Sequence, residues 1–117
     1  MANTEIELDF GLFVLDAELF ENSIGEKFKS ILPCTIELTS WGTEVYGPTG
    51  KNLGTGDPIE NIPEGGLAYT NNGNYFCVFF GQKPAWAVEY IGHIKGNQWQ
   101  RLLKEKSLQS LTIRTRL

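Results

Sequence analysis

The sequence predicts a mainly β domain, a barrel or a sandwich of about eight short strands with two short helices. Three observations carry this. The run Tyr75–Phe80 sets six apolar residues in a row between a turn signal, Asn71-Asn72-Gly73-Asn74, and Gly81. A strand apolar on both faces belongs inside a structure, covered above and below. Residues near both termini alternate: Ile6, Leu8 and Phe10 against Glu7 and Asp9, and Leu111, Ile113, Thr115 and Leu117 against Thr112, Arg114 and Arg116. That is the period of a half-buried strand. Helical spacing, by contrast, occurs in only two short windows.

In chain order, the strand Ile6–Phe10 bends at Gly11 into a second, Leu12–Ala17. Ser23-Ile24-Gly25-Glu26 has the form of a capping box, and Ile24, Phe28, Ile31 and Leu32 follow at helical spacing until Pro33. Thr35–Trp41 reads as a strand with Ile36 and Leu38 inward. Trp41-Gly42 breaks it and Glu44-Val45-Tyr46 resumes. From Gly47 to Gly66 the chain is loop-like, with prolines at 48, 58 and 63, and a loop this long in a small domain is functional or mobile more often than filler. Leu67–Tyr69 leads through the Asn/Gly turn into the central strand. Val88–Lys95 is a further strand with Gly92 near its middle. Asn97 is placed to cap a second helix with Trp99, Leu102 and Leu103 on one face, and the strand from Leu111 ends the chain.

A length of 117 residues suits one domain over 1–117. No apolar stretch is long enough to span a bilayer and the N-terminus is acidic, so a cytoplasmic location with no membrane partner is the expectation. Cys34 and Cys77 lack CxxC spacing and read as reduced thiols; with one histidine they make no convincing metal site, and no cofactor is expected. A net charge of −4 argues against nucleic acid. Before Lys27 there are seven acidic residues and no basic one; from Lys95 onward there are six basic residues against Glu105 alone. The basic end is either a docking face for a protein partner or the electrostatic complement of the first strand. Pairing of the first and last strands would set Glu5, Glu7 and Asp9 against Thr112, Arg114 and Arg116, and that internal pairing is the favoured reading.

The candidate site lies at the exit of the central strand and around the break at Trp41. Trp41 and Tyr46 flank that break, so at least one is expected at a cleft, against the alternative that both pack in the core. Glu44 follows Trp-Gly in apolar surroundings. A carboxylate there can hold a ligand's polar group or act as a base if its pKa is raised, although such a residue is more often solvated. Tyr69, Tyr75 and Trp86 are candidate walls, Lys83–Trp86 a candidate rim, while Trp99 and His93 read as structural. Gly47–Asn52 imitates a phosphate-binding loop but lacks its first glycine and its Ser/Thr, which excludes that function.

With these parts in place, the chain resembles the cyclophilins. The likeness is carried by Leu15–Asn22 through Phe28, by Gly65–Tyr69 with Asn72–Phe80, and by Tyr90-Ile91-Gly92-His93-Ile94 followed by a helix and a terminal strand. Trp41-Gly42-Thr43-Glu44-Val45-Tyr46 and Phe79-Phe80-Gly81-Gln82-Lys83-Pro84, with Leu32-Pro33 upstream, are similar to sequences recurring in small prokaryotic cyclophilin-like proteins of unsettled role. The resemblance implies a closed eight-stranded barrel capped by two helices. True prolyl isomerases place an arginine beside an apolar pocket to ease rotation about a bond whose barrier is about 18–20 kcal/mol. The corresponding stretch here, Thr35–Glu44, contains none; the arginines are Arg101, Arg114 and Arg116. Phe80 corresponds to the pocket phenylalanine and Trp86 loosely to a tryptophan beyond it.

The expectation is therefore a binding protein for a small molecule or peptide. Its cleft, at the barrel mouth, is formed by Trp41, Glu44, Tyr46, Phe80 and Trp86, with the 47–66 loop as cover. A weak isomerase using Lys83 or the Trp41 indole, and an interaction module of a larger assembly, are the alternatives.

Overall fold

The computed structural model describes residues 3–105 and 107–116. Nine strands form one sheet: β1 Thr4–Asp9, β2 Val14–Leu19, β3 Cys34–Glu37, β4 Thr39–Ser40, β5 Glu44–Pro48, β6 Gly66–Thr70, β7 Tyr75–Phe79, β8 Glu89–Ile94 and β9 Ser110–Thr115. Their order is β3-β9-β1-β2-β8-β6-β7-β5-β4, with every pairing antiparallel. The two edge strands, β3 and β4, are consecutive in the chain and separated only by Leu38. Continuity of the backbone thus bends the sheet into a nearly closed barrel. The ninth strand arises because the single strand read over Thr35–Trp41 is divided: Leu38 N–H turns to the Gln109 carbonyl (2.9 Å), β3 pairs with β9, and β4 pairs with β5.

At this seam β5 presses against β3. A Cβ at Gly47 would lie 2.1 Å from the Glu37 carbonyl oxygen, so only glycine permits the approach. The alternating inward residues fill the interior: Ile6 and Leu8, Leu15, Ala17 and Leu19, Leu67 and Tyr69, Phe76 and Val78, Leu111 and Ile113. A register shift opposite Leu67 and Ala68 lets Ile91 and Ile94 both reach the core. Leu117, read as the last residue of that alternation, lies outside the described residues.

The helix α1, Ser23–Lys29, caps one end and stacks Phe28 on Phe76 (centroids 4.9 Å apart). Its cap is Asn22, not the expected Ser23: Asn22 Oδ1 accepts from Gly25 N–H (2.8 Å) while its Nδ2 donates to the Tyr90 carbonyl (3.0 Å). That second bond ties the helix start to β8, a contact no local pattern reveals. Ile31 and Leu32 continue beyond the helix as a turn. The second helix, Gln98–Lys104, is 3₁₀, and Asn97 makes no side-chain cap. Three residues per turn align Trp99 and Leu102 on the barrel and throw Leu103 into solvent.

Three basic groups of the C-terminal segment are paired within the molecule. Arg114 donates to Glu7 (2.9 Å) and Asp9 (2.8 Å), Arg116 contacts Asp16 (3.3 Å), and Lys95 contacts Glu5. The Arg114 hydrogen bond holds the Asp9 carboxyl below its ordinary pKa.

Candidate functional site

Strand β7 shows how the site is made. Phe76 and Val78 point inward, and Phe80 continues that series just past the strand; Tyr75, Cys77 and Phe79 point outward. β5 pairs with it so that Glu44 faces Phe79, Tyr46 faces Cys77 and Pro48 faces Tyr75. The outer wall of the barrel here therefore carries its own apolar cluster, Ile62, Ala68, Cys77, Phe79 and Val88, with Tyr46 and Tyr75 packed on it. Over this floor lies a cleft of about 430 Å³ walled by Trp41, Glu44, Tyr46, Thr70, Tyr75 and Trp86, with Cys77, Ala85 and Val88 completing it.

The walls are set by two hairpin-like junctions. Trp41 and Glu44 exchange backbone hydrogen bonds (2.9 and 3.2 Å) around Gly42, whose φ of +61° closes the turn. Thr43 then joins the exit of β7: its N–H donates to Gln82 Oε1 (2.8 Å) and its carbonyl accepts from Phe80 N–H (2.9 Å). The two sequence motifs around Trp41 and Gln82 thus form one unit in space. The Trp86 indole N–H donates to Thr70 Oγ1 (3.0 Å). Both indoles stay open to solvent, Trp41 at 52% and Trp86 at 48% exposure.

Glu44 is the opposite case, 5% exposed. Its Oε1 is buried and has no hydrogen-bond partner, the one such side-chain atom among the described residues. Burial lifts its pKa to about 7, opposed by the Cys77 thiol and the Gln82 amide alongside. The solvated carboxylate favoured from sequence is thus replaced by a buried one. The same burial, with Glu44 beside it, pushes the Cys77 thiol well above its usual value.

Of the five residues picked from sequence, four line this cleft and Phe80 does not. At 5% exposure it packs in the barrel interior, because strand alternation turns it inward with Phe76 and Val78. The cleft also lies on the outer wall and not at the barrel mouth. Tyr69, a candidate wall, is fully buried in the core, whereas Tyr75 does line the cleft. The 47–66 loop, expected as cover, supplies none of the residues lining the cleft, although its Ile62 joins the apolar cluster beneath. Its Leu53 enters the core, Ile59 bridges Val88, and only Glu60 and Asn61 border a neighbouring depression with Lys83–Trp86. Thr70 and Cys77 line the cleft without any sequence signal as site residues; with Phe76 and Val78 inward, alternation directs Cys77 to the outer face.

The three arginines are elsewhere: Arg114 and Arg116 in the pairs above, Arg101 over the Phe13 ring (4.4 Å) and on Glu105 (3.0 Å). His93 is half-buried and bonded through Nδ1 to the Tyr90 hydroxyl (2.9 Å); burial lowers its pKa. Among the described residues no group of side chains is arranged to hold a metal ion, and no helix is long and apolar enough to cross a membrane.

Comparison with known proteins places these features. The family model described as cyclophilin-like matches residues 4–114. No curated protein matches the chain. A hypothetical protein of Archaeoglobus fulgidus, seen in its solution structure, is 23% identical with a TM-score of 0.79, covering 97% of this chain and 95% of that one. McbB, solved in complex with tryptophan, is 13% identical with a TM-score of 0.73; the match covers 95% of this chain and 44% of McbB. At these identities the likeness is one of fold.

Proposed function

The chain belongs to the cyclophilin-like family, and from that premise we propose that it is a binding protein whose outer-wall cleft takes a small molecule or a peptide, without prolyl isomerase activity. The observation that carries this reading is the cleft itself: two half-exposed tryptophans line one concavity over an apolar floor, beside a buried carboxyl. Exposed tryptophans cost solvation unless something covers them, and concave apolar sites with a few polar groups are the usual form of ligand pockets. McbB, which shares the fold, is described with tryptophan bound, in keeping with a small-molecule ligand.

The absence of isomerase activity is supported by the arginines, each held on a face away from the cleft. Binding is tested by screening the ¹⁵N-labelled protein against small fragments and short proline-containing peptides, following the indole N–H signals of Trp41 and Trp86. Ligands are expected to move both signals and to lose affinity on Trp41→Ala and Trp86→Ala while the fold persists. Unfolding of both variants would instead make these side chains structural and remove the support for the cleft. In a protease-coupled proline-isomerisation assay the expected rate equals that of buffer; catalysis above it would refute the second half of the reading.

A further inference from the structure

We propose that the ligand of this cleft is an organic cation, an ammonium or amidinium group on a small apolar body, seated on Glu44 and enclosed by the surrounding aromatic rings. The proposal rests on the reading of the cleft as a binding site and specifies what it selects. Four of its walls are aromatic, Trp41, Tyr46, Tyr75 and Trp86, and among the described residues no lysine, arginine or histidine lines it. The faces of such rings carry negative potential and attract cations, indole most strongly. Tyr46 and Tyr75 meet edge to face (5.1 Å, 70°), which fixes the ring walls in place.

The carboxyl decides the sign of the ligand. Glu44 Oε1 is buried with no partner, and a buried polar atom left unpaired is costly. An anion would meet Glu44 with like charge, and a neutral apolar body would leave Oε1 unsatisfied. A cation with N–H groups satisfies the oxygen, and the aromatic rings share its charge. The groups facing Glu44 are the Cys77 thiol and Phe79 on β7, Tyr46 on β5, and the Gln82 amide, none of them cationic. Lys83 borders the neighbouring depression and not the cleft. Since Glu44 ionises near pH 7, cation binding strengthens as pH rises through that value and releases a proton below it.

Three probes of one shape and different charge separate the possibilities: benzamidine, benzamide and benzoate, titrated into the ¹⁵N-labelled protein while the indole N–H signals of Trp41 and Trp86 are read. Benzamidine is expected to move both signals, to bind about threefold or more tightly at pH 8 than at pH 6, and to weaken about tenfold in Glu44→Gln with the pH dependence gone. Trp41→Leu, a change at an exposed position, should weaken it as well. Benzamide or benzoate binding as tightly as benzamidine would overturn the preference for a cation while leaving the cleft a binding site. Silence of both indoles toward all three probes at millimolar concentration would overturn the proposal, and the fragment screen then decides separately whether the cleft binds anything.

Discussion

At Glu44 the folded chain holds a carboxyl out of water with too few partners to keep it charged. The residue ionises near 4.5 in an unfolded chain and about 7 when folded, so the native state takes up a proton that the unfolded state gives away. The stability this provides is whole below pH 4.5 and is lost as pH climbs through 7. A shift of that size corresponds to roughly 3 kcal/mol at most. Urea denaturation of wild type and Glu44→Gln at pH 5 and pH 8 measures it: the variant should gain about 1–3 kcal/mol on wild type at the higher pH relative to the lower. Two profiles that run parallel would mean that Glu44 is as solvated as its sequence context suggested. Residue identity alone does not settle this point, because the same glutamate at the end of an uncovered strand would titrate normally.

At the scale of elements, the long connection between β5 and β6 is tied to the barrel at several points. Tyr69 Oη accepts from Leu53 N–H (2.8 Å) and lies within bonding distance of the Lys51 carbonyl (3.1 Å) and Asn74 Oδ1 (2.8 Å). The Glu89 carboxylate accepts from two successive backbone donors, Gly56 N–H (2.9 Å) and Asp57 N–H (3.1 Å). Charge-assisted bonds of this kind are the stronger class. Glu89→Ala should therefore speed amide exchange at Gly56 and Asp57 far more than in the strands, and Tyr69→Phe should do the same at Leu53. Unchanged exchange at these amides in both variants would show that Leu53 and the Ile59–Val88 bridge suffice to hold the segment. Composition correctly marks the region as irregular. It does not reveal the anchors, because Tyr69 and Glu89 are separated from their partners within this connection by 16 to 33 positions.

For the molecule as a whole, closure depends on the seam where β5 crosses β3. Gly47→Ala would drive a methyl group into the Glu37 carbonyl, and overpacking of this kind costs roughly 1–3 kcal/mol or more. Phe28→Ala, at the capped end, removes a ring stacked on Phe76 from a fully buried site, with an expected loss of about 3–5 kcal/mol. Denaturant midpoints check both: an unshifted midpoint for Gly47→Ala would mean the seam can open without loss. The acidic first strands and the basic last one meet on the same molecule, so part of the charge asymmetry of the sequence serves the barrel's closure.

The alternation of apolar and polar residues in Ile6–Phe10 and Leu111–Ile113 determines that these segments form strands and which side of each faces inward, since a side chain in a strand has only two directions to take, while the unbroken run Tyr75–Phe80 marks a strand without choosing its inner side. The strand break at Trp41-Gly42 and the resemblance to the cyclophilins, rather than this alternation, point to Trp41, Glu44, Tyr46 and Trp86 as parts of one cleft. What the tertiary structure decided is where those outward and inward sides go. The sheet could curl only because β3 and β4 part at Leu38, and that curl put the cleft on the outer wall, turned Phe80 into core and buried Glu44 beside Cys77 and Gln82. Burial and pairing across long sequence separations depend on which strands become neighbours, and strand order is a property of the closed barrel rather than of any one segment.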